Sequence, residues 1–312
     1  MIAVVSYPDD PHAQAVMSHL RDAGAPAVLL DLADLPERAT LTMRYENGGR
    51  PRLEYRREGE PTLDLQSVRT VWWRRPRVPE PASITDPEAL LFAANEWQEA
   101  INGLWQLLDA RWVNHPIRDE VAARKALQLR VAAEVGLTVP RTLVTSDPDE
   151  ARAFIDGRGD AATVFKTFSC THEIWRETRL IRADELPLLD TVRLAPVIFQ
   201  EYVPAGVDLR ITIVGGRLFA AAIHSQETDY EVDFRMSLGQ AEVEATTLPA
   251  EVEEGLLALM GRLGLLYGAV DMRRTPTGEY VFFEVNTAGE FLFVEELTGQ
   301  PIARNLAELL AS

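Results

Sequence analysis

Apolar and polar positions change period along the chain. Residues 2–7 are a short apolar run, residues 12–23 repeat apolar positions at helical spacing, and residues 27–32 are apolar again, which predicts a βαβ start. Residues 41–45 and 52–56 flank Glu46-Asn-Gly-Gly49 and predict a hairpin. A strand over 68–73 and a long helix over 87–109 follow. Asn114-His-Pro116 breaks the pattern, because the residue before a proline is pushed out of helical geometry.

Beyond that break the pattern predicts one helix over 119–135 ending at Gly136, a strand over 141–145, and a helix capped near Asp147-Pro148. Residues 163–167 and 197–203 read as strands, the second leading into Pro204-Ala-Gly206. Residues 208–214 and 217–224 read as a hairpin across Gly215-Gly216, residues 249–263 as a helix, and residues 301–310 as a short amphipathic helix. The expected class is mixed α/β (α+β), divided as 1–115, 116–200 and 201–312. No internal repeat or low-complexity tract occurs.

The most specific chemistry lies late in the chain. Asp271 follows Gly268-Ala-Val, Glu284 and Asn286 close Val281-Phe-Phe-Glu-Val-Asn286, and Thr275-Pro-Thr-Gly278 supplies a turn between them. Pairing outward from that turn sets Arg274 opposite Glu279 and Asp271 opposite Phe282, so residues 282, 284 and 286 share a face with Asp271. Two carboxylates and an amide oxygen suit a hard cation such as Mg²⁺. The alternative is an acidic face open to water. Val281, Phe282, Phe283 and Val285 oppose it, since they make the strand apolar on both faces, and a buried acidic pair needs a counter-ion.

Composition removes several function classes. The 312 residues, 46% of them hydrophobic, allow a sizeable core, but no apolar run is long enough to span a membrane and no basic region precedes the first apolar run. The expectation is a cytoplasmic chain. A single cysteine, Cys170, excludes an internal disulfide and a thiolate zinc cluster, and the five histidines show no HExxH spacing. A formal charge of −17 opposes nucleic acid and anionic membranes as partners. An anionic ligand therefore needs a local basic site, for which Arg74, Arg75, Lys125, Lys166, Arg210 and Arg235 are the candidates. Lys166, flanked by Val164, Phe165 and Phe168, is costly to bury unpaired and suits a phosphate. Lys125 on a helix, Arg210 on an alternating strand and Asp208 beside a turn each also fit a solvated surface role. Trp72 and Trp73 fit a buried strand. The first turn, Tyr7-Pro-Asp-Asp-Pro11, lacks the glycines of a dinucleotide loop.

Lys125, Lys166, Gln200-Glu-Tyr-Val203, Asp208-Leu-Arg210, Asp271 and Glu284-Val-Asn286 occur in the order and approximate spacing of the ATP-grasp ligases, which the chain resembles over residues 115–312. Val71-Trp-Trp-Arg-Arg-Pro76, Asn114-His-Pro116, residues 199–214 and Glu295-Glu-Leu-Thr-Gly-Gln-Pro-Ile302 narrow the resemblance to ribosomal-peptide maturases of the microviridin (graspetide) group, relatives of RimK-like glutamate ligases. There the N-terminal region is covered as a pre-ATP-grasp domain, ahead of central and C-terminal ATP-grasp subdomains.

The resemblance implies roles. Lys125 and Lys166 contact ATP phosphates, Gln200, Glu201, Tyr202 and Val203 line the adenine with the backbone of Glu201 and Val203 reading its edge, and Asp208 accepts from the ribose. Asp271, Glu284 and Asn286 hold two Mg²⁺ ions. Arg210 and Arg235 stabilise an acyl phosphate and the tetrahedral intermediate, and Arg74 and Arg75 touch substrate. The implied partner is a ribosomal precursor peptide with a leader segment, and a homodimer is implied as well. Cys170 has no nucleophilic role in such chemistry. Two segments depart from the group: residues 167–172 carry no glycine, leaving Ser169 and Thr171 to meet phosphate, and residues 287–293 read Thr-Ala-Gly-Glu-Phe-Leu-Phe. Those departures keep open a ligase that joins a free amino acid or small carboxylate to an amine. A silent nucleotide-binding module is opposed by the full set of metal ligands and arginines.

Overall fold

A computed structural model describes residues 1–157, 162–168, 178–227 and 241–312. The chain opens with β1 (Ile2–Val5), α1 (Pro11–Asp22) and β2 (Ala27–Leu30), then β3 (Ala39–Arg44), β4 (Arg52–Arg57), β5 (Leu63–Asp64), β6 (Thr70–Trp73), α2 (Pro87–Leu107) and β7 (Arg111–Val113). Strands β2-β1-β6-β7 form a parallel sheet, and β3-β4-β5 an antiparallel one. Asp10 caps α1 by accepting from the His12 amide at 3.0 Å, and Pro11 suits the first turn because its missing N–H is not needed there.

Next come α3 (Pro116–Ala122), α4 (Lys125–Glu134), β8 (Thr142–Thr145), α5 (Pro148–Asp156), β9 (Thr163–Lys166), β10 (Arg179–Leu180), a 3₁₀ run over Ala183–Leu194, and β11 (Val197–Glu201). The expected single helix over 119–135 is two, α3 and α4, broken at Ala123-Arg124. Strands β10-β9-β11-β8 make an antiparallel sheet. One face packs Phe199, with Leu143 and Phe165, onto α5 and the 3₁₀ run. Lys166 and Gln200 belong to the other face, since the register sets Ile198 opposite Lys166 and side chains alternate.

The last part contains β12 (Val207–Val214), β13 (Arg217–Ile223), β14 (Val243–Thr246), α6 (Ala250–Leu263), β15 (Tyr267–Arg274), β16 (Tyr280–Asn286), α7 (Leu292–Thr298) and α8 (Ile302–Ala311). The strands form an antiparallel sheet ordered β14-β13-β12-β15-β16. One face, with Leu209, Ile211, Val270, Met272 and Phe282, buries against Val131 of α4 and Leu256 and Leu259 of α6. The opposite face divides in two. At one end Ala221 and Tyr267 join a core with Ile2, Val16 and Leu306, so α1 and β1 pack against α8 and this sheet. At the other end the face is charged. Among the described residues no helix is long and apolar enough to cross a membrane.

Candidate active site

The register of three strands assembles the charged face. Asp208 lies opposite Arg273 and Arg210 opposite Asp271 between β12 and β15, while Asp271 lies opposite Glu284 and Ala269 opposite Asn286 between β15 and β16. Residues directly opposite one another share a face, so all six polar groups belong to it. The expected register is corrected twice. Gly278, at φ 90°, lets the turn close with Thr275 N–H on the Glu279 carbonyl at 2.8 Å, which puts Arg274 opposite Tyr280 rather than Glu279. A bulge then inserts Phe283, so Asp271 meets Glu284 rather than Phe282. Phe282 turns to the buried face, and Phe283 stays on the charged side.

Each carboxylate is met by a protein cation. Arg210, only 6% exposed, donates from Nη1 to Asp271 Oδ1 at 2.7 Å and from Nη2 to the Glu290 carbonyl at 2.9 Å, with its Nε unpartnered among the described residues. Lys125 Nζ pairs with Glu284 Oε2. Lys125 reaches it because α4 begins there. Gln128 Nε2 donates to the carbonyls of Ala122 at 2.7 Å and Val285 at 2.9 Å, and its Oε1 accepts from Val285 N–H at 3.0 Å, which ties the helix break to β16. The side chains of Asp271 and Glu284 remain 14% and 23% exposed. Two part-exposed carboxylates and the exposed Asn286 amide on one face fit a hard divalent cation. Among the described residues no group of three acidic, histidine or cysteine side chains is placed to hold a metal, and the Asn286 amide oxygen accepts from the Ala288 amide at 3.1 Å.

The charged face meets the central sheet through Phe283. Lys166 Nζ lies 5.0 Å from the Phe283 ring centroid, and the Arg273 guanidinium carbon lies 5.8 Å from that ring and from the ring of Tyr202. Residues 202–206 join the two sheets and run along β15, with Gly206 N–H on the Arg274 carbonyl at 2.8 Å. The two antiparallel sheets, one carrying Lys166 and the other the carboxylates of Asp271 and Glu284, are thus joined by one connector and meet at Phe283.

Comparison with known proteins identifies the family. Residues 1–120 match the MvdD pre-ATP grasp domain and residues 122–310 the RimK-like ATP-grasp domain. The chain belongs to the RimK-like ATP-grasp family. It is therefore an ATP-grasp ligase, as the resemblance implied. The macrocyclase MdnC from Microcystis aeruginosa MRC, bound with the precursor peptide MdnA, superposes with a TM-score of 0.89 at 30% identity, covering 100% of this chain and 99% of that one. A RiPP-associated ATP-grasp ligase from Chryseobacterium gregarium, in complex with ADP and a leader and core peptide, gives 0.90 at 26% identity, covering 99% and 96%. A probable alpha-L-glutamate ligase of Citrobacter koseri is 30% identical over 206 residues, 62% of this chain and 67% of that protein.

Within this ATP-grasp ligase the other expected residues that the structure describes are tied to neighbouring strands. Gln200 is buried and donates to Thr142 Oγ1 at 2.9 Å. The Glu201 carboxylate accepts from the Arg141 amide at 2.8 Å, Tyr202 N–H bonds the Ala162 carbonyl at 3.0 Å, and the Val203 carbonyl accepts from Arg273 Nη1 at 2.7 Å. Asp208 is neither a surface acid nor turned outward. It is 3% exposed, accepts from Arg273 Nε at 2.8 Å and from the Ser225 hydroxyl, and so has its oxygens engaged inside the protein. Arg235 and Cys170 lie outside the described residues, with Ser169, Thr171 and most of the glycine-free loop.

Arg74 corrects the sequence expectation. Its side chain is wholly buried, so it offers no surface to a peptide. It donates instead to the Ala288 carbonyl, to the Gly289 carbonyl at 2.9 Å and to Asp10 Oδ2 at 3.3 Å. The Tyr267 hydroxyl shares the Gly289 carbonyl at 2.7 Å. Gly289 itself is required, because a Cβ there would lie 2.3 Å from the Ala269 Cβ and 2.8 Å from Arg210 Nη2. Arg75 is at the rim and pairs with Glu290 at 3.1 Å. His12 packs edge-on against Phe291 at 4.7 Å, and burial together with the Arg74 charge pushes its pKa down to about 4. Asn114 bonds the amides of Leu266 and Tyr267 at 2.8 and 3.0 Å, joining the end of β7 to β15.

Sequence reasoning missed Gln128, Arg273 and the anchoring roles of Asn114 and Arg74. The arginine pair Arg273-Arg274, closing a largely buried strand that also carries Asp271, was the available signal for one of them.

Proposed function

We propose that this ligase uses ATP and Mg²⁺ to activate Asp or Glu side chains of a ribosomally made precursor peptide and links them to hydroxyl or amine side chains as esters or amides. The observation that carries the reading is the Arg210–Asp271 and Lys125–Glu284 arrangement on one face of the five-stranded sheet. Likeness over the whole chain to enzymes crystallised with a precursor peptide, or with leader and core, supports a peptide substrate.

A carboxylate oxygen of the peptide attacks the γ-phosphorus, the bond to the β-phosphate oxygen breaks, and ADP leaves. The hydroxyl or amine then attacks the acyl carbon, loses its proton, and expels phosphate. Asp271, Glu284 and Asn286 would hold Mg²⁺, two ions in our reading, which supplies neutralising charge to the phosphates. Lys166 and Lys125 would meet phosphate oxygens. Arg210, buried and aimed by two fixed acceptors, suits a developing negative charge on the acyl phosphate.

The test is mass spectrometry of a short Thr/Ser- and Asp/Glu-rich peptide encoded beside the gene, after incubation with enzyme, ATP and Mg²⁺. Loss of one or more waters, absent with Asp271→Asn, is the expected result. An unchanged peptide with ADP released on addition of free amino acids would replace this reading with a small-molecule ligase.

A further inference from the structure

We infer that Arg273 is a positioning residue that sets the nucleotide-reading edge of the connector between the two sheets, an inference that rests on the ATP-binding function proposed above. Four contacts carry it. Arg273 is 4% exposed, donates through Nη1 to the Val203 carbonyl at 2.7 Å, and donates through Nε to Asp208 Oδ1 at 2.8 Å. Its guanidinium also lies 5.8 Å from the ring centroids of both Tyr202 and Phe283. Asp208 in turn accepts from the Ser225 hydroxyl, so the guanidinium is held from β12 while it holds the connector.

A buried cation in the core of a fold needs one carboxylate partner. This one also reaches across to a main-chain carbonyl of the segment that leaves the central sheet, and lies close to the tyrosine one residue earlier. Fixing the Val203 carbonyl fixes the peptide plane between Val203 and Pro204, and with it the path of residues 201–203. Asp208 acts through Arg273 in this arrangement, rather than by direct contact with the sugar. The ring of Phe283 extends the same relationship to Lys166, so the connector, the bulge and the strand-borne lysine share one support.

Lysine is the informative substitution. Arg273→Lys keeps a cation beside Asp208 but cannot span both Asp208 and the Val203 carbonyl with a rigid fork. Asp208→Asn keeps the shape and removes the charge. Both are compared with the wild-type chain by thermal unfolding, by calorimetric binding of ATP without peptide, and by steady-state kinetics with ATP and GTP. We expect folded Arg273→Lys protein with its ATP Kd and KM raised about tenfold, the loss of one well-made hydrogen bond. Turnover at saturating ATP should stay within about twofold, with a narrowed preference for ATP over GTP. Asp208→Asn should give a similar shift, and the double variant no more than either alone.

A folded Arg273→Lys protein with wild-type Kd and KM for ATP would overturn the inference while leaving the proposed function standing. So would a fall in kcat with no change in KM. Absence of ATP binding by the wild-type chain would remove both.

Discussion

Arg210 and Asp271 face each other directly across adjacent antiparallel strands, with Nη1 2.7 Å from Oδ1 and both side chains largely buried. Neutralising one partner leaves the other without its counter-charge. Asp271→Asn should lower stability by about 3 kcal/mol at most, measured by urea unfolding. ADP release should fall about 100-fold or more, because a charge aimed at the reacting groups is lost. The Mg²⁺ concentration for half-maximal activity should rise in parallel. Retained turnover at an unchanged Mg²⁺ midpoint would remove Asp271 from the site.

Arg74 binds the N-terminal sheet to the loop that supports Arg210. Its loss strands Asp10, whose side chain is fully buried, and leaves the Ala288 carbonyl without this donor and the Gly289 carbonyl with Tyr267 alone of the two. Arg74→Met should cost about 3 to 5 kcal/mol. Adding Asp10→Asn should return part of it, since the unpaired charge is then gone. Equal instability of the single and double variants in chemical denaturation would show that the pair is not coupled.

His12 makes stability depend on mild acid. Its folded pKa of about 4 lies below the ordinary value of 6.5, so the neutral ring is the native form. The unfolded chain takes up the proton first as pH falls. The stabilisation is complete above pH 6.5, declines through the window down to about 4, and amounts to about 3 kcal/mol in all. Unfolding midpoints at pH 7 and pH 4.5 should therefore differ less in His12→Gln than in the wild-type chain. Identical pH dependence in the two proteins would contradict this.

Gly289 leaves no room for a side chain. An added Cβ at 2.3 Å from Ala269 and 2.8 Å from Arg210 Nη2 must displace one of them. Gly289→Ala should destabilise by about 1 to 3 kcal/mol. Its larger effect should be on kcat, through the displaced guanidinium. A variant with wild-type kcat would mean that the loop moves without carrying Arg210.

Much of the fold was legible because its strands are short apolar runs bounded by turns. Asp271, Glu284 and Asn286 were expected on one face, and they share one, although by a different register. The bulge was hidden because Phe282 and Phe283 are both apolar, so parity could slip between them without a mark in the sequence. The helix break before Lys125 was hidden for a related reason. Arg124 and Lys125 carry no glycine or proline signal, and the break is held by Gln128, whose partners on β16 are more than 150 positions away. Helix α7 is only seven residues long, too short for periodicity to declare it. Arg74 is a ligand candidate in the sequence because an acidic chain needs local basic groups for an anionic ligand, whereas its acceptors come from a loop distant in sequence.

The shared core of α1 and α8 also bears on the order of folding. Val16 and Leu20 are buried by Ile302, Leu306 and Leu310, which lie more than 280 positions later in the chain. The βαβ unit of β1, α1 and β2 therefore keeps an apolar flank uncovered until α8 has been synthesised. A fragment restricted to residues 122–310 would lack Arg74 and its grip on residues 288–289. The two segments matched by separate family models thus share one core.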